Sequence, residues 1–235
     1  MDDALEILPL TPDRLGDLAS LFEQGGDPKW CWCAWYRLRS VDFASATAES
    51  NRGVLEAAVG DAVLSGRAPG LVAYRDGEAI GWVSVGPRDD YERLQHSKVL
   101  GPVDDAPVWS IVCFVVGRRS RGQGVAAALL DAAVAYAAAH GATVVEAYPV
   151  DASNGRVSAA TAFKGTLRMF ERAGFEVVAR RRANRTSAER PIVRRALADR
   201  VAPAAYDGPA PGGASRSRSL DSIDAGARRR QRRST

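Results

Sequence analysis

The run Val108 to Val116, VWSIVCFVV, is followed at once by GRRSRGQG and then by the alanine-rich VAAALLDAAVAYAAA. Nine residues without a charge, bounded by Pro107 and Gly117, read as a strand buried on both faces. Val125 to Ala139 reads as a helix, closed by His140-Gly141. A buried strand turning through a glycine loop into an apolar helix predicts a layered α/β (α+β) fold.

The loop carries chemistry. Between a strand and a helix start, several backbone N–H groups have no partner and the helix dipole adds positive potential. Gly122 and Gly124 have no Cβ, so a phosphate can approach the backbone, and Arg119 and Arg121 can neutralise it. This is physically a pyrophosphate cradle. It lacks the Gly-Lys-Ser/Thr of a Walker loop, and its glycine spacing is not that of a Rossmann fingerprint. A basic loop whose glycines serve only the turn is the alternative reading.

The other elements follow from periodicity. Leu5 to Leu10 reads as a first strand, and Thr11-Pro12-Asp13 opens a helix with Leu15, Leu18 and Leu21-Phe22 at helical spacing. Asn51 to Ser65 is a second helix. Leu71 to Arg75 and Ala79 to Val85 form a hairpin about Asp76-Gly77-Glu78. Pro87 to Pro107 reads as polar and irregular. Thr143 to Tyr148 is a strand, Thr166 to Ala173 a helix, Glu176 to Ala179 a strand, and Pro191 to Leu197 a last strand. One domain is expected over residues 1–198. Residues 199–235, rich in Pro, Gly, Ser and Arg with few large apolar side chains, are expected to be a disordered tail.

The net charge of +4 is unevenly spread. Ser215 to Thr235 holds seven arginines and two aspartates, a net of +5, leaving −1 for the rest. The body therefore has no pull toward polyanions, and without interleaved aromatics in the tail, nucleic acid is not an expected partner. No apolar run reaches the roughly 18 residues of a membrane span. MDDALEILPL does not read as a signal peptide, so a cytoplasmic location is expected. Three cysteines, Cys31, Cys33 and Cys113, do not suggest a disulfide framework or a tetrahedral metal site. Cys113 reads as a small core residue.

Arg119-x-x-Gly122-x-Gly124 after a hydrophobic strand resembles the acyl-CoA pyrophosphate motif of the GNAT superfamily of N-acetyltransferases. Met169-Phe170-Glu171-Arg172-Ala173-Gly174-Phe175 resembles its second signature, a short helix ending in Gly-Phe before a strand. The element order from Leu5 to about Leu197 is also similar. The resemblance implies a mixed, mostly antiparallel sheet of about seven strands flanked by helices. In it, Ile111–Val116 and Thr143–Tyr148 would splay apart to form the acyl-CoA cleft. It implies backbone groups at Phe114, Val115 and Val116 against the pantetheine and the thioester carbonyl. The pyrophosphate would lie on Arg119, Ser120, Arg121, Gly122, Gln123 and Gly124. Acetyl-CoA would be the cosubstrate, with no metal. An amine of a small molecule or protein would attack the thioester directly; a homodimer is compatible with the family.

One departure stands out. Superfamily members often place a proton-donating Tyr where this chain has Phe170, which has no proton to give. Tyr148, on the strand beside the cleft, is the substitute candidate for the acid, with ring packing as the alternative. Glu146 shares its face by period-two alternation and is the candidate base, with a structural ion pair as the alternative. Asp104, Asp105, Asp151, His96 and His140 are weaker candidates. A non-catalytic acyl-CoA-binding module is the second reading of the chain.

WCWCAWYRL, Trp30 to Leu38, is the other unusual stretch. The resemblance puts it on the acceptor side of the cleft, where Trp30, Trp32, Trp35 and Tyr36 would form an aromatic wall for apolar or cationic acceptors. Core packing is the alternative. If the segment is helical, Trp32 aligns with Trp35 and Tyr36; if extended, Trp30 and Trp32 share one face and the far side alternates; in either case the cysteines are expected to be bystanders.

Overall fold

The computed structural model describes residues 5–24, 26–152 and 163–197; the expected tail lies outside the described residues. Seven strands form one sheet: β1 (Glu6–Pro9), β2 (Gly70–Arg75), β3 (Glu78–Pro87), β4 (Trp109–Val116), β5 (Val144–Ala147), β6 (Glu176–Arg181) and β7 (Arg190–Ala196). Their order is β1-β2-β3-β4-β5-β7-β6. All neighbours are antiparallel except β4 and β5. The β2–β3 turn puts Asp76 at φ 50 and Gly77 at φ 77, the left-handed pair that matches strand twist in a two-residue hairpin.

Helices cover both faces. The helices α1 (Leu15–Glu23), α2 (Pro28–Cys31), α3 (Ala34–Arg37), α4 (Ser40–Ala44), α5 (Ala48–Ser65) and α6 (Glu92–His96) precede β4. Two more, α7 (Val125–Ala139) and α8 (Leu167–Arg172), follow it. Thr47 caps α5 in a reciprocal box with Ser50, and Gly66 ends it at φ 69, so both termini carry their own stop signals. One core joins Val125, Leu129 and Phe170 to Ile111 and Phe114 of β4. The second joins Leu18, Phe22 and Tyr36 to Val112 and Cys113 of the same strand. Strand β4 is thus buried from both sides, as its unbroken apolar run requires.

Two features of β4 shape the cleft. The register against β3 shifts between Ser84↔Cys113 and Val85↔Ile111, making Val112 the extra residue of a bulge that bends the strand. Its pairing with β5 covers only Trp109↔Val145, Ser110↔Glu146 and Ile111↔Ala147. Beyond Ile111 the two strands are unpaired, and Pro149 follows β5 without an N–H to extend the ladder. This is the fork expected from the sequence.

The segment expected to be irregular, Pro87 to Pro107, is partly structural. It contains α6, and it buries Tyr91, Leu94 and Leu100. Its apolar residues are too sparse to show a period, so burial there was not legible.

Candidate functional site

At the end of β4, Gly117 begins the loop expected to hold pyrophosphate. A short 3-10 turn, Arg118–Ser120, leads to α7, and Gly122 and Gly124 take φ 76 and 81. A Cβ at either would meet nothing within 4 Å, so the glycines serve the left-handed backbone rather than close packing. The N–H groups of Ala127 and Ala128 turn back on Gly124 O at 3.0 Å each. The N–H groups of the first turn of a 15-residue helix, with Arg119 and Arg121 exposed beside them, form an anion nest. Arg121 Nε and Gln123 Nε2 bond Val116 O and Arg119 O at 3.2 and 2.8 Å and brace the loop; Ser120 is buried. These residues fit a diphosphate.

The strand between cradle and cleft fits less simply than expected. Gly117 N–H donates to Ile80 O at 2.9 Å, so by alternation Val115 N–H also faces β3, and the Phe114 and Val116 peptides face the fork. Phe114 N–H, however, already donates to Phe163 O at 2.6 Å. Of the three expected backbone donors, only that of Val116 faces the fork without competition from Phe163.

Glu146 and Tyr148 do share a face, but not as an exposed acid and base. Glu146 is 0% exposed. Its Oε1 accepts from Arg88 Nη1 at 2.8 Å and from Tyr148 Oη at 2.5 Å, and its Oε2 accepts from Arg194 Nε at 2.8 Å. Arg88, 7% exposed, also donates to Tyr148 Oη at 2.6 Å and to the Leu94 and Leu100 carbonyls at 2.8 and 2.9 Å. Ser110 Oγ lies 3.1 Å from the same phenol. Burial first, then the Glu146 charge, pushes the Tyr148 phenol well above its ordinary value. Neither side chain is among those that line the aromatic cavity. The network ties β5 and β7 to the segment after β3, which is the ion-pair alternative for Glu146. Sequence reading had no signal for Arg88, a basic residue in a polar stretch.

The cavity lies on the other side of Tyr36, whose ring stacks 6.3 Å from that of Tyr148. It has a volume of about 450 Å³ and is walled by Trp30, Trp35, Tyr36, Phe43 and Phe163. Cys113 and Val115 of β4 form its floor, and Cys31, Cys33, Asp27 and Lys164 complete it. Three of the four expected aromatics are therefore brought together. Trp32 is not: it is buried against Phe22, edge-on at 5.3 Å, with its indole N–H on Lys29 O at 3.1 Å.

The cause is a backbone neither helical nor extended. Trp32 and Cys33 take φ 47 and 55, a left-handed pair between two one-turn helices that costs roughly 1–2 kcal/mol per residue. It turns Trp32 into the core and carries Cys33 Sγ to 3.0 Å from Cys113 Sγ, where Trp82 Nε1 also donates to it at 3.1 Å. Cys31 and Cys33, expected to stand aside, line the cavity together with Cys113. Among the described residues, no group of three His, Cys, Asp or Glu is placed to hold a metal ion.

Tyr36, expected in the aromatic wall, combines a place in it with deep burial. It is 1% exposed, its Oη has no hydrogen-bond partner among the described residues, and it lines the cavity. Burial, and next the nearby Cys113, raise its phenol well above the ordinary value. Phe170, at the position of the missing donor, is fully buried between Phe114 and Phe175. Lys164 was not a candidate at all; a single lysine next to a phenylalanine carries no pattern.

The described part of the chain includes no helix long and apolar enough to cross a membrane. Comparison with solved structures finds yncA from Salmonella typhimurium with its cofactor acetyl-CoA, 18% identical, covering 86% of this chain and 99% of that chain at a TM-score of 0.50. A GNAT-family protein from Desulfovibrio desulfuricans is 19% identical over 82% of this chain and 99% of that one, with a TM-score of 0.49. PaiA N-acetyltransferase from Thermoplasma acidophilum, in complex with coenzyme A, is 15% identical over 83% and 99%, with a TM-score of 0.48. No curated protein matches the sequence. The family model for acetyltransferase (GNAT) matches residues 32–175. That match spans more than half of the sequence and includes β4, the cradle and most of the aromatic segment, so the chain belongs to the acetyltransferase (GNAT) family.

Proposed function

We propose that the protein transfers an acetyl group from acetyl-CoA to an amine seated in the aromatic cavity. The observation that carries this reading is that one strand joins the two sites. Cys113 and Val115 floor the cavity, and three residues after Val115 the chain enters the turn that leads into the anion nest. Arg119 to Gly124 would hold the diphosphate, and the fork beyond Ile111 would take the pantetheine arm, with Val116 N–H among its backbone partners. When bound, the thioester supplies the acyl carbon: the N–C bond forms, the C–S bond breaks, one proton leaves the amine and one is gained by the departing sulfur.

The residues here serve that exchange in distinct ways. Tyr36 holds an unshared phenol proton at the cavity wall and is the proposed proton donor, in place of Tyr148, whose hydroxyl is committed to Glu146, Arg88 and Ser110. The proton lost by the amine passes to solvent and restores the phenol. Glu146 is assigned a positioning role, fixing β5 beside the fork. Trp30, Trp35, Phe43 and Phe163 exclude water from the acceptor. We place the activity in one domain, residues 1–198, with 199–235 outside it. Three free thiols, two of them in contact, support a reducing compartment such as the cytoplasm.

The test is acetyl-CoA consumption against a panel of amines, with coenzyme A binding measured in parallel. Turnover with at least one amine, lowered roughly 10²-fold in Tyr36→Phe without loss of thermal stability, supports the reading. Tight coenzyme A binding with no turnover across the panel would instead identify a non-catalytic acyl-CoA module.

A further inference from the structure

Among the described residues, Lys164 is an ion without a counter-ion. It is 9% exposed, yet its Nζ has no hydrogen bond and no carboxylate within 4.0 Å among the described residues. Its neighbours are aromatic faces, Trp35 at 5.3 Å and Phe163 at 5.5 Å from Nζ to ring centroid. Such contacts offset only part of the cost of burying an ammonium. The nearest other charges are also positive: Arg190 and Arg93 both act on Lys164, and after burial they help lower it from 10.5 to about 8. Arg93 stacks on Trp35 at 4.1 Å, and its Nη2 is buried without a partner. Against these stands one carboxylate at the cavity wall, Asp27, which is exposed and makes no ion pair with Lys164. Tyr36 Oη adds a further buried donor with nothing to bond among the described residues.

Resting on the acceptor site proposed above, we propose that the cavity takes an amine that also carries a carboxylate, which docks on Lys164 while its apolar part lies among Trp30, Trp35 and Phe163. The chemistry is consistent from both ends of such a molecule. A carboxylate supplies the missing counter-ion in a site where the surrounding rings and low polarity strengthen the pairing. The same cluster of cations disfavours an ammonium, so the acceptor's amino group is pushed toward the free base that attacks the thioester. The diphosphate of coenzyme A is assigned above to the nest that follows Val116, which leaves Lys164 for the acceptor. A cavity of about 450 Å³ suits an acceptor the size of one aromatic ring with a short polar chain. The expectation of an apolar or cationic acceptor, drawn from the aromatic wall alone, narrows under this proposal to an amine that also carries a carboxylate.

The test uses the full chain saturated with coenzyme A, read by the fluorescence of Trp30 and Trp35 at the cavity. Titration with 3-phenylpropionate and with 3-phenylpropionamide compares probes that differ in charge alone. The proposal expects the carboxylate to bind at least about ten-fold more tightly, a preference abolished in Lys164→Met and largely kept in Lys164→Arg. Equal binding of the two probes, binding of neither, or a preference that survives in Lys164→Met overturns it. A parallel assay follows acetyl transfer to L-phenylalanine and to phenethylamine. Better turnover of phenethylamine sinks the carboxylate subsite and leaves the transferase reading intact. Carboxylate preference without turnover of any amine sinks the transferase reading and leaves the subsite.

Discussion

Replacing Glu146 by Gln separates a strut from a catalytic base. The substitution keeps the shape of the side chain but removes the charge that Arg88, Tyr148 and Arg194 share, and it turns one acceptor into an NH2 facing donors. Arg194 keeps a second partner, Asp104 at 2.6 Å, and loses little. Arg88, 8% exposed at its side chain, keeps two carbonyls but no anion. Breaking a buried pair costs about 3–5 kcal/mol; with Arg194 compensated, about 3 kcal/mol is expected. Unfolding entropy of about 2.1 cal/mol/K per residue over roughly 190 folded residues is about 0.4 kcal/mol/K, so Tm should fall by about 7–8 °C. Calorimetry or far-UV melting measures this. Acetyl transfer assayed well below both melting temperatures should keep kcat within a few-fold of the parent, because Glu146 is fully buried and its oxygens are taken up by Arg88, Tyr148 and Arg194. Loss of a general base would instead cost roughly 10²–10⁴-fold. An unchanged Tm together with a 10²-fold fall in kcat would return Glu146 to the catalytic role and refute the reasoning.

Trp32→Ala should destabilise the protein by about 3–5 kcal/mol with little change in acceptor KM. Trp30→Ala, at a position 43% exposed and packed edge-on against Phe43, should raise acceptor KM and leave the melting temperature nearly unchanged. Lys164 binds fewer protons folded than unfolded between about pH 8 and 10.5, so its contribution to stability rises with pH across that window and its penalty is full below it. Lys164→Met should therefore be the more stable protein at neutral pH, by at most on the order of 3 kcal/mol, and lose that advantage as pH rises in urea titrations. Gly81→Val places atoms where a Cβ alone would sit 2.8 Å from Val125 Cγ1 and 3.0 Å from Leu129 Cδ1. Overpacking of about 1–3 kcal/mol should shift the start of α7, and with it the anion nest, raising the KM for acetyl-CoA more than that for the acceptor.

The sequence by itself determined the parts whose signals are local. The β2–β3 hairpin follows from Asp76-Gly77, the doubly buried β4 from nine uncharged residues, and the anion nest from two glycines between a strand and a helix. Each depends on backbone preferences and periodicity within a short window. The alternation that put Glu146 and Tyr148 on one face was legible for the same reason; that both face Arg88 was not. Only the tertiary structure could decide that, since Arg88 and Glu146 lie 58 positions apart and charge pairing across such a separation leaves no pattern in either segment. The same holds for WCWCAWYRL. No propensity places two consecutive non-glycine residues in the left-handed region; packing of Trp32 on Phe22 and of Cys33 against Cys113 and Trp82 holds them there. That turn decides which aromatics face the cavity. Lys164 acquires its meaning in the same way, because an isolated lysine becomes informative only when the fold surrounds it with rings and like charges and brings no carboxylate to meet it.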